Sequence, residues 1–201
     1  MSGRYRTIVC DPPWPYPDGW RRLPGSQGVK AAVARGEAPQ MTSRKPLPYS
    51  AMTLGEIEAL PIRQFADPNG AHVYMWTTNR HLPAAFGIFK AWGVRYGQTL
   101  VWAKTPMGLG PGGTFAQSTE YVLFGRIGTL RHLRRADSTW FNWARMDRQH
   151  SRKPDAFIDM VEQVSPGPYV ELFARRARFG WSYLGNEALS TPGVKVDGVD
   201  A

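Results

Sequence analysis

The sequence predicts an α/β fold with a largely parallel central sheet flanked by helices, and two observations carry that prediction. Short runs of β-branched and aromatic residues alternate along the chain with segments of helical periodicity. The length of 201 residues suits one domain with a core of ordinary size. We expect that domain to span residues 1–188 and to be followed by a flexible tail at 189–201.

The elements are expected in the following order. A strand over residues 4–10 runs into Asp11-Pro12-Pro13-Trp14, where the two prolines end both strand pairing and helix formation. Thr53 and Glu56 form a capping-box pattern that predicts a short helix. Further strands are expected at 71–77, 94–104, 120–124, 169–173 and 181–184, and further helices at 81–92 and 153–164, the last with Pro154 in its first turn. A strand that stops at a rigid acidic turn is typical of chemistry presented at the edge of an α/β sheet.

Residues 15–48 are expected to form a long basic loop with one short helix near 29–34. Loops of this length in a compact domain are usually functional or mobile, and a disordered, solvated insertion is the alternative. The glycine-rich segment 106–113 matches neither a Walker nor a dinucleotide fingerprint, so it gives no support for a phosphate cradle.

The charge balance indicates a polyanionic partner. Lys and Arg number 25 against 16 Asp and Glu, which gives a net charge of +9 and a pI near 10.0. No apolar stretch approaches the roughly 20 residues of a membrane span, so no membrane partner is expected. One cysteine and four scattered histidines exclude a disulfide framework and make no zinc site, so no metal is expected. These features predict a globular protein of the cytoplasm.

A second basic cluster is interleaved with aromatic residues between 131 and 153. Basic side chains attract the phosphate backbone, and aromatic rings can stack on bases that have been splayed out. The alternative is a solubilising surface over buried aromatics. The cluster consists of Arg131, Arg134, Arg135, Arg145, Arg148, Arg152 and Lys153, with Trp140, Phe141 and Trp143 between them.

The acidic turn itself suggests chemistry on an exocyclic amine. The amino group of adenine is a poor nucleophile because its lone pair is delocalised into the ring. The Asp11 carboxylate and the Pro12 carbonyl could each accept one of its protons, at roughly 1.5–3 kcal/mol for a hydrogen bond to an ionised acceptor. Trp14 would then stack on the base. The alternative is a strand-ending turn with a capping aspartate and a core tryptophan.

Seven motifs in this order resemble the DPPW-type adenine-N6 methyltransferase family, which contains the eukaryotic messenger-RNA adenosine methyltransferase catalytic subunit and small bacterial and phage DNA adenine methyltransferases. The resemblance covers about residues 4–188, and it implies a permuted, Rossmann-like class I methyltransferase fold that uses S-adenosylmethionine. The motifs are IVCDPPW, PYSAM, MWTTNR, LVWAK, STEYVLFG, RKPDAFIDMVEQVSPG and ELFAR followed by YLGNE.

The resemblance also implies roles for individual residues. The catalytic turn would be Asp11, Pro12, Pro13 and Trp14. The cofactor would be held by Asp11, Lys153, Arg175, Asn186 and Glu187. The nucleic-acid substrate would meet Tyr49, Lys104, Glu120, Arg148 and Lys153. Because few residues precede Asp11, the neighbourhood of Asn186 is expected to supply more of the contacts to the cofactor adenine.

Three of these residues also have a possible role that is unrelated to catalysis or binding. Lys153 could be a surface cation at a helix entry, Glu120 a strand-end charge paired with Arg126, and Arg175 one of several solvated arginines. At the level of function, we expect DNA adenine methylation in a bacterial or phage-infected cell, by a protein that pairs as a homodimer. RNA methylation and a non-catalytic nucleic-acid-binding subunit are the alternatives.

Overall fold

The computed structural model describes residues 4–16, 21–22, 31–37, 42–43, 51–104, 115, 117–143, 153–175 and 177–184. The strands are β1 Thr7–Cys10, β2 Arg21–Arg22, β3 Thr42–Ser43, β4 Gly70–Thr77, β5 Arg95–Ala103, β6 Thr119–Gly128, β7 Trp140–Phe141, β8 Tyr169–Leu172 and β9 Trp181–Leu184. The helices are α1 Leu54–Glu58, α2 Ile62–Phe65, α3 Leu82–Ala91 and α4 Asp155–Val164.

Seven strands form one sheet in the order β7-β5-β6-β4-β1-β8-β9. The pairs β1–β4, β1–β8, β8–β9 and β5–β7 are parallel, while β6 is antiparallel to both β4 and β5. All strands of this sheet except β6 therefore point the same way. The predicted Rossmann-like α/β class with a mostly parallel sheet is confirmed.

Alternate residues of the central strands supply two cores, one on each face of the sheet. On one face, Ile8 and Cys10 of β1 pack with apolar residues of α1, α2 and α3. On the other face, Val9 packs with Phe157 and Val161 of α4. Because β1 and β4 are buried at every position, they follow the pattern of strands covered on both faces.

Close packing around β6 requires a glycine at position 125. A Cβ atom there would lie 2.6 Å from the Arg95 carbonyl oxygen and 2.7 Å from the Phe89 ring. The β5–β6 register shifts beside this contact, between Tyr96 and Gln98. Gly125 thus allows β5 and α3 to approach β6.

Several details differ from the sequence-based expectations, among them helix α2 and strand β7, which the sequence did not predict. The basic loop at 15–48 contains a short antiparallel ribbon, β2 with β3, in addition to a helical turn at 31–34 that agrees with the helix expected there. Pro154 is the N-cap of α4 and does not lie in its first turn. Its ψ of 140° is extended, so the helix begins one residue later. None of the helices in the described part of the chain is long and apolar enough to cross a bilayer.

Candidate active site

Four charged side chains from separate parts of the chain meet at the carboxyl edge of the sheet. Asp11 follows β1, and Lys104 follows β5. Glu120 reaches the same edge because β6 runs against the other strands and begins there. Lys153 arrives from just ahead of α4, which packs on this sheet. Parallel topology therefore gathers the residues that the sequence separates by more than a hundred positions.

These four side chains form a continuous row of alternating charge. The Lys153 Nζ lies 3.0 Å from Asp11 Oδ2 and 3.2 Å from Glu120 Oε2. The Lys104 ammonium group donates a hydrogen bond to the other oxygen of Glu120. Each side chain is between 11% and 17% exposed. Ion pairs this buried are expensive to desolvate, so stability alone is a weak reason for the arrangement.

The surroundings keep Lys153 protonated. Burial lowers the pKa of its ammonium group, but the attraction of Asp11 and Glu120 outweighs burial and the pKa is raised above its ordinary value. The ammonium group also lies 5.1 Å from the centroid of the Trp76 ring, which adds a cation–π contact. Lys153 is therefore suited to hold an anion and unsuited to act as a base.

Glu120 is correspondingly kept ionised. Burial raises the pKa of its carboxyl group, but Lys153 and Lys104 together lower it below the ordinary value. The expected alternative, a pair with Arg126, is not what the structure shows, since the Arg126 guanidinium lies over the Phe124 ring at 5.4 Å. The alternative for Lys153, a surface cation, also disagrees with its burial.

The acidic turn is fixed by hydrogen bonds of its backbone. The Trp14 N–H donates to the Pro12 carbonyl at 2.8 Å, and the Met52 N–H donates to the Pro13 carbonyl at 2.9 Å. A carbonyl oxygen has two lone pairs, so the Pro12 oxygen retains one for a further donor. Asp11 thus stands on a rigid turn beside a second acceptor.

Trp14 lies differently from the expectation that it would stack on a base. Its indole N–H donates to the Trp76 carbonyl at 3.0 Å, and its ring stacks on His81 with centroids 5.1 Å apart. Only 4% of the residue is exposed, so the ring offers no open face to a base in this structure. The tight turn at Pro12 directs the side chain inward, and Trp14 supports the site from below.

His81 belongs to the same support and was missed from the sequence. It is 6% exposed and also meets the edge of the Tyr16 ring. Burial, followed by repulsion from Arg80, lowers the pKa of its imidazole, so the ring is neutral. Within the described residues its Nε2 is a buried polar atom without a hydrogen-bond partner. Its one sequence signal is the position just after MWTTNR, at the start of α3.

Glu171 is the second residue that sequence reasoning missed. It is 8% exposed on β8, where Val9 and Tyr183 flank it in register on the neighbouring strands. Burial, then repulsion from Asp11, raises the pKa of its carboxyl group to about 7, with Lys153 opposing in part. A lone carboxylate inside the apolar strand YVEL was the signal available.

The segment after β8 leads toward the residues expected to hold the cofactor. Phe173 has a φ of 60°, in the left-handed region that costs a non-glycine residue about 1–3 kcal/mol, and strain of this kind is often found at functional sites. Arg175 follows and is half-buried. The Glu162 carboxylate accepts from Arg178 and from the Trp181 indole at 2.6 and 2.7 Å, which ties this segment to α4.

The remaining predicted site residues are not placed by the structure. Tyr49, Arg148, Asn186 and Glu187 lie outside the described residues, as does the segment 106–113. Of the predicted set, the structure therefore brings together Asp11, Glu120, Lys104 and Lys153. Their roles stay predictions.

The protein is therefore a Rossmann-like α/β protein with one reversed strand and with an acidic turn at the carboxyl edge of its sheet, where open α/β sheets bind their ligands. The sequence model of the MT-A70 family matches residues 5–187, and the chain belongs to that family. The resemblance found in the sequence is thereby confirmed.

The curated relatives include a type II methyltransferase and several N(6)-adenosine-methyltransferases. A type II methyltransferase, M.MunI from Mycoplasma sp, is 27% identical over 195 residues, covering 96% of this chain and 81% of the relative. The human N(6)-adenosine-methyltransferase catalytic subunit METTL3 is 24% identical over 196 residues, covering 93% of this chain and 29% of the relative. A putative N(6)-adenosine-methyltransferase MT-A70-like protein of Medicago truncatula is 27% identical, and the chain spans 27% of its length.

Proposed function

We propose that this protein is an S-adenosylmethionine-dependent adenine-N6 methyltransferase acting on DNA. The observation that carries the proposal is the Asp11 carboxylate, held on a rigid turn at the carboxyl edge of the sheet and paired with the buried Lys153 at 3.0 Å. The cofactor would supply an electrophilic methyl group on a sulfonium centre. The residues of the chain supply binding, orientation and proton acceptance.

The charged row fits a division of roles between cofactor and target base. Asp11, with the free lone pair of the Pro12 carbonyl, is suited to accept the two protons of an exocyclic amine. Lys153, kept protonated by its neighbours, is suited to the carboxylate of the cofactor or to an acceptor atom of the base. Holding the amine in one orientation removes much of the entropic barrier to its reaction.

Glu120 and Lys104 would lie on the substrate side of this row. The ionised Glu120 can accept from a donor on the target nucleoside while Lys104 holds its other oxygen. Arg175, Asn186 and Glu187 are proposed for the ribose and adenine end of the cofactor, and Tyr49 and Arg148 for the nucleic acid. The homodimer and the location in the cytoplasm of a bacterial or phage-infected cell stay predictions.

The connection between β6 and β7 supports a nucleic-acid substrate. Arg131, Arg134 and Arg135 are exposed there, and Trp140 at its end is 58% exposed. Exposed arginines neutralise phosphates, and an open indole face can stack on a base. Phe141 and Trp143 stack on each other and contact the core, so they lie behind this surface.

The preference for DNA rests on the relatives. The type II methyltransferase M.MunI is matched over 81% of its length by this chain. The N(6)-adenosine-methyltransferase catalytic subunit METTL3 is matched over 29% of its length. RNA methylation is the second candidate, because relatives named as N(6)-adenosine-methyltransferases match 93% of this chain. The intact Asp-Pro-Pro-Trp turn argues against a non-catalytic subunit.

The test of substrate and reaction is direct. The purified protein would be incubated with tritiated S-adenosylmethionine and equal amounts of unmethylated duplex DNA, single-stranded DNA and RNA, and the labelled nucleoside would be identified after digestion. N6-methyladenine in DNA is the expected product. Label in RNA alone would overturn the choice of DNA, and no label in any sample would contradict the enzymatic proposal.

The basic surface has its own test. Replacing Arg131, Arg134 and Arg135 with alanine removes up to three phosphate contacts, so the slope of log affinity against log salt should fall by about 2–3 units. Arg63→Ala offers a control for loss of one exposed arginine charge, because Arg63 lies on the exposed side of α2 and outside this connection. An unchanged slope would show that the connection between β6 and β7 does not contact the nucleic acid.

A further inference from the structure

A cleft of about 200 Å³ lies between the β6–β7 connection and the last turns of α4, away from the charged row. Its inner wall is apolar, because Phe141, Met160 and Val164 line it. Phe141 and Met160 also pack against the core behind them, and Phe141 stacks on Trp143 with ring centroids 4.2 Å apart. Pockets for drug-sized ligands run from about 300 to 1,000 Å³, so this cleft suits a group of the size of one ring system.

Hydrogen bonds hold the walls of the cleft in place. The Leu133 N–H donates to the Val164 carbonyl at 2.8 Å, which fixes the connection to the end of α4. Farther along the connection, the Ser138 hydroxyl donates to the Trp140 carbonyl at 2.7 Å and accepts from the Trp140 N–H at 3.0 Å. The cleft is therefore already formed in the protein alone, so little ordering of the chain opposes the binding of a ligand.

The rim of the cleft is polar and basic. Arg134, Arg135 and Gln163 belong to it, and all three are exposed. Arg134 pairs with the Asp137 carboxylate at 3.5 Å, but the two side chains are 65% and 87% exposed, so the pair is weak in water and Arg134 can exchange it for another anion. Arginines neutralise phosphates, and a glutamine amide offers both a donor and an acceptor to the edge of a base. An apolar slot beside cations matches a nucleotide, in which a flat ring and a phosphate adjoin.

The cleft lies within reach of a strand whose target base is at the charged row. Phe141 is opposite Trp102 in register, and Lys104 follows Trp102 by two residues, which is roughly 7 Å along the strand. The last turns of α4 lie roughly 8–14 Å from the start of that helix beside Lys153. Successive nucleotides of one strand are about 3.4 Å apart along B-form DNA, so these distances correspond to roughly two to four nucleotides.

We propose that this cleft binds one unpaired nucleobase of the substrate strand, roughly two to four nucleotides from the target adenine. The ring of that base would lie on the apolar wall of Phe141 and Met160, its polar edge would meet the Gln163 amide, and its phosphate would meet Arg134 or Arg135. A base held there cannot be paired at the same time, so single-stranded or locally opened nucleic acid is the form expected to bind. The inference rests on the proposed function, because it assumes that the target adenine lies at the charged row.

The test is an abasic scan in the nucleic acid that the protein methylates, with a single adenine in each oligonucleotide. An abasic residue replaces in turn each nucleotide within about five positions of the target on either side, a range that exceeds the distance above. In the wild type, kcat/KM should fall about five-fold or more at one position two to four nucleotides away, because a stacked base contributes at least that much to binding. Nucleotides farther away should have no effect.

Gln163→Ala assigns that position to the cleft. On the intact oligonucleotide the variant should lower kcat/KM about five-fold or more, because it loses the contact to the edge of the base. On the oligonucleotide that is abasic at the cleft position it should equal the wild type, since that contact is already absent. Gln64→Ala is the matched control, because Gln64 is exposed on α2 and outside the cleft, and it should equal the wild type on both oligonucleotides.

Methylation that is equal at all positions beyond the immediate neighbours of the target would overturn the inference and leave the proposed function standing. An abasic effect that multiplies with the loss in Gln163→Ala would mean that the base binds elsewhere on the protein, and would also overturn the inference. Absence of methylation from every oligonucleotide would contradict the proposed function and the inference with it. The wild-type scan needs no variant, and Gln163 is exposed, so its replacement should leave the fold intact.

Discussion

The two ends of the sheet bury polar groups in opposite ways. At the carboxyl edge, Asp11, Lys153 and Glu120 are charged and nearly buried, and the buried side chain of Glu171 beside them has no hydrogen-bond partner among the described residues. At the amino edge, the buried polar side chains are neutral, and each one has a partner. These groups are Thr7 at the start of β1, which donates to the Pro166 carbonyl at 2.7 Å, His72 near the start of β4, Tyr74 on the same strand and Ser165 at the end of α4.

Tyr74, Ser165 and His72 form one directed chain of hydrogen bonds. The Tyr74 O–H donates to Ser165 Oγ at 2.7 Å, and the Ser165 O–H donates to His72 Nδ1 at 2.7 Å. The other ring nitrogen of His72, Nε2, lies 3.1 Å from the Leu130 carbonyl oxygen and donates to it in the tautomer whose Nδ1 accepts from Ser165. The Arg126 Nε lies 3.4 Å from the same nitrogen. A neutral network with every member satisfied connects α4 to β4 and needs no ligand.

The contrast teaches how to separate a structural polar cluster from a functional one in this molecule. The amino-edge network is complete in itself, so removing a member should cost stability and leave activity intact. The carboxyl-edge row is charged and nearly buried, at an expense that stability alone does not explain, so removing a member should act on binding and catalysis. Variants at the two ends of the sheet test this distinction.

The largest effect is expected at Asp11. Asp11→Asn keeps the shape of the turn but replaces the charged acceptor with a neutral amide, so the methylation rate should fall about 1,000-fold, or about 4 kcal/mol of transition-state stabilisation. The initial rate of methyl transfer to DNA measures the effect, and circular dichroism checks the fold.

Asp67→Asn is the matched control, because Asp67 lies in the turn before β4 and its side-chain oxygen accepts from the Asn69 N–H, which the asparagine amide can also do. An Asp11→Asn protein that methylates at the wild-type rate would show that the charge of the Asp11 carboxylate is not needed for methyl transfer.

Lys153 is expected to affect both function and stability. Lys153→Met keeps the apolar stem over Trp76 but leaves Asp11 without its 3.0 Å partner, so the free energy of unfolding should fall by about 3 kcal/mol at neutral pH. The loss should shrink as pH falls, because the unpaired carboxyl groups can then take up protons. Urea unfolding at about pH 7 and pH 5 measures both values.

Lys90→Met on the exposed side of α3 is the control for loss of a lysine charge. A loss at Lys153 no larger than that at Lys90 would show that the row contributes nothing to stability. Lys153→Met should also weaken cofactor binding, which Lys90→Met should not.

The sequence predicted the secondary structure around this site better than the side-chain contacts within it. Local signals placed β1, the capping box at Thr53 and the helix before Ser165, and the ordered motifs pointed to Asp11, Glu120 and Lys153. Which charges meet depends on strand order: the reversal of β6 brings Glu120 to Lys153 and leaves Arg126 at the opposite end, and no local pattern encodes that reversal. The inward turn of Trp14 likewise depends on a carbonyl acceptor that is 62 positions away.

A smaller effect is expected from the protonation of His72. Burial lowers the pKa of its imidazole to about 4 from an unfolded value of 6.5, despite the hydrogen bond to the Leu130 carbonyl. The folded state therefore favours the neutral ring, and this stabilisation is complete above about pH 6.5 and is lost as pH falls toward 4. Over that interval the unfolding free energy should decrease by about 2 kcal/mol from this group.

His72→Gln should be less stable at neutral pH and should lose less on acidification than the wild type. Urea unfolding between about pH 4 and pH 7 makes the comparison. Equal slopes for the two proteins would show that His72 does not titrate between these values, and would weaken the view of the amino edge as a neutral network.

The smallest effect is expected at Tyr74, and it tests most directly whether the amino-edge network is structural or functional. Tyr74→Phe removes the first donor of the chain of hydrogen bonds while Ser165 can still donate to His72, so the unfolding free energy should fall by about 1 kcal/mol. The ring itself still packs against Phe124 and Phe157, so the core is retained. The methylation rate and the affinity for the cofactor should equal those of the wild type. A Tyr74→Phe protein with normal stability and reduced methylation would contradict the structural role given to the amino-edge network. It would show that this network acts in methylation and does not stabilise the fold.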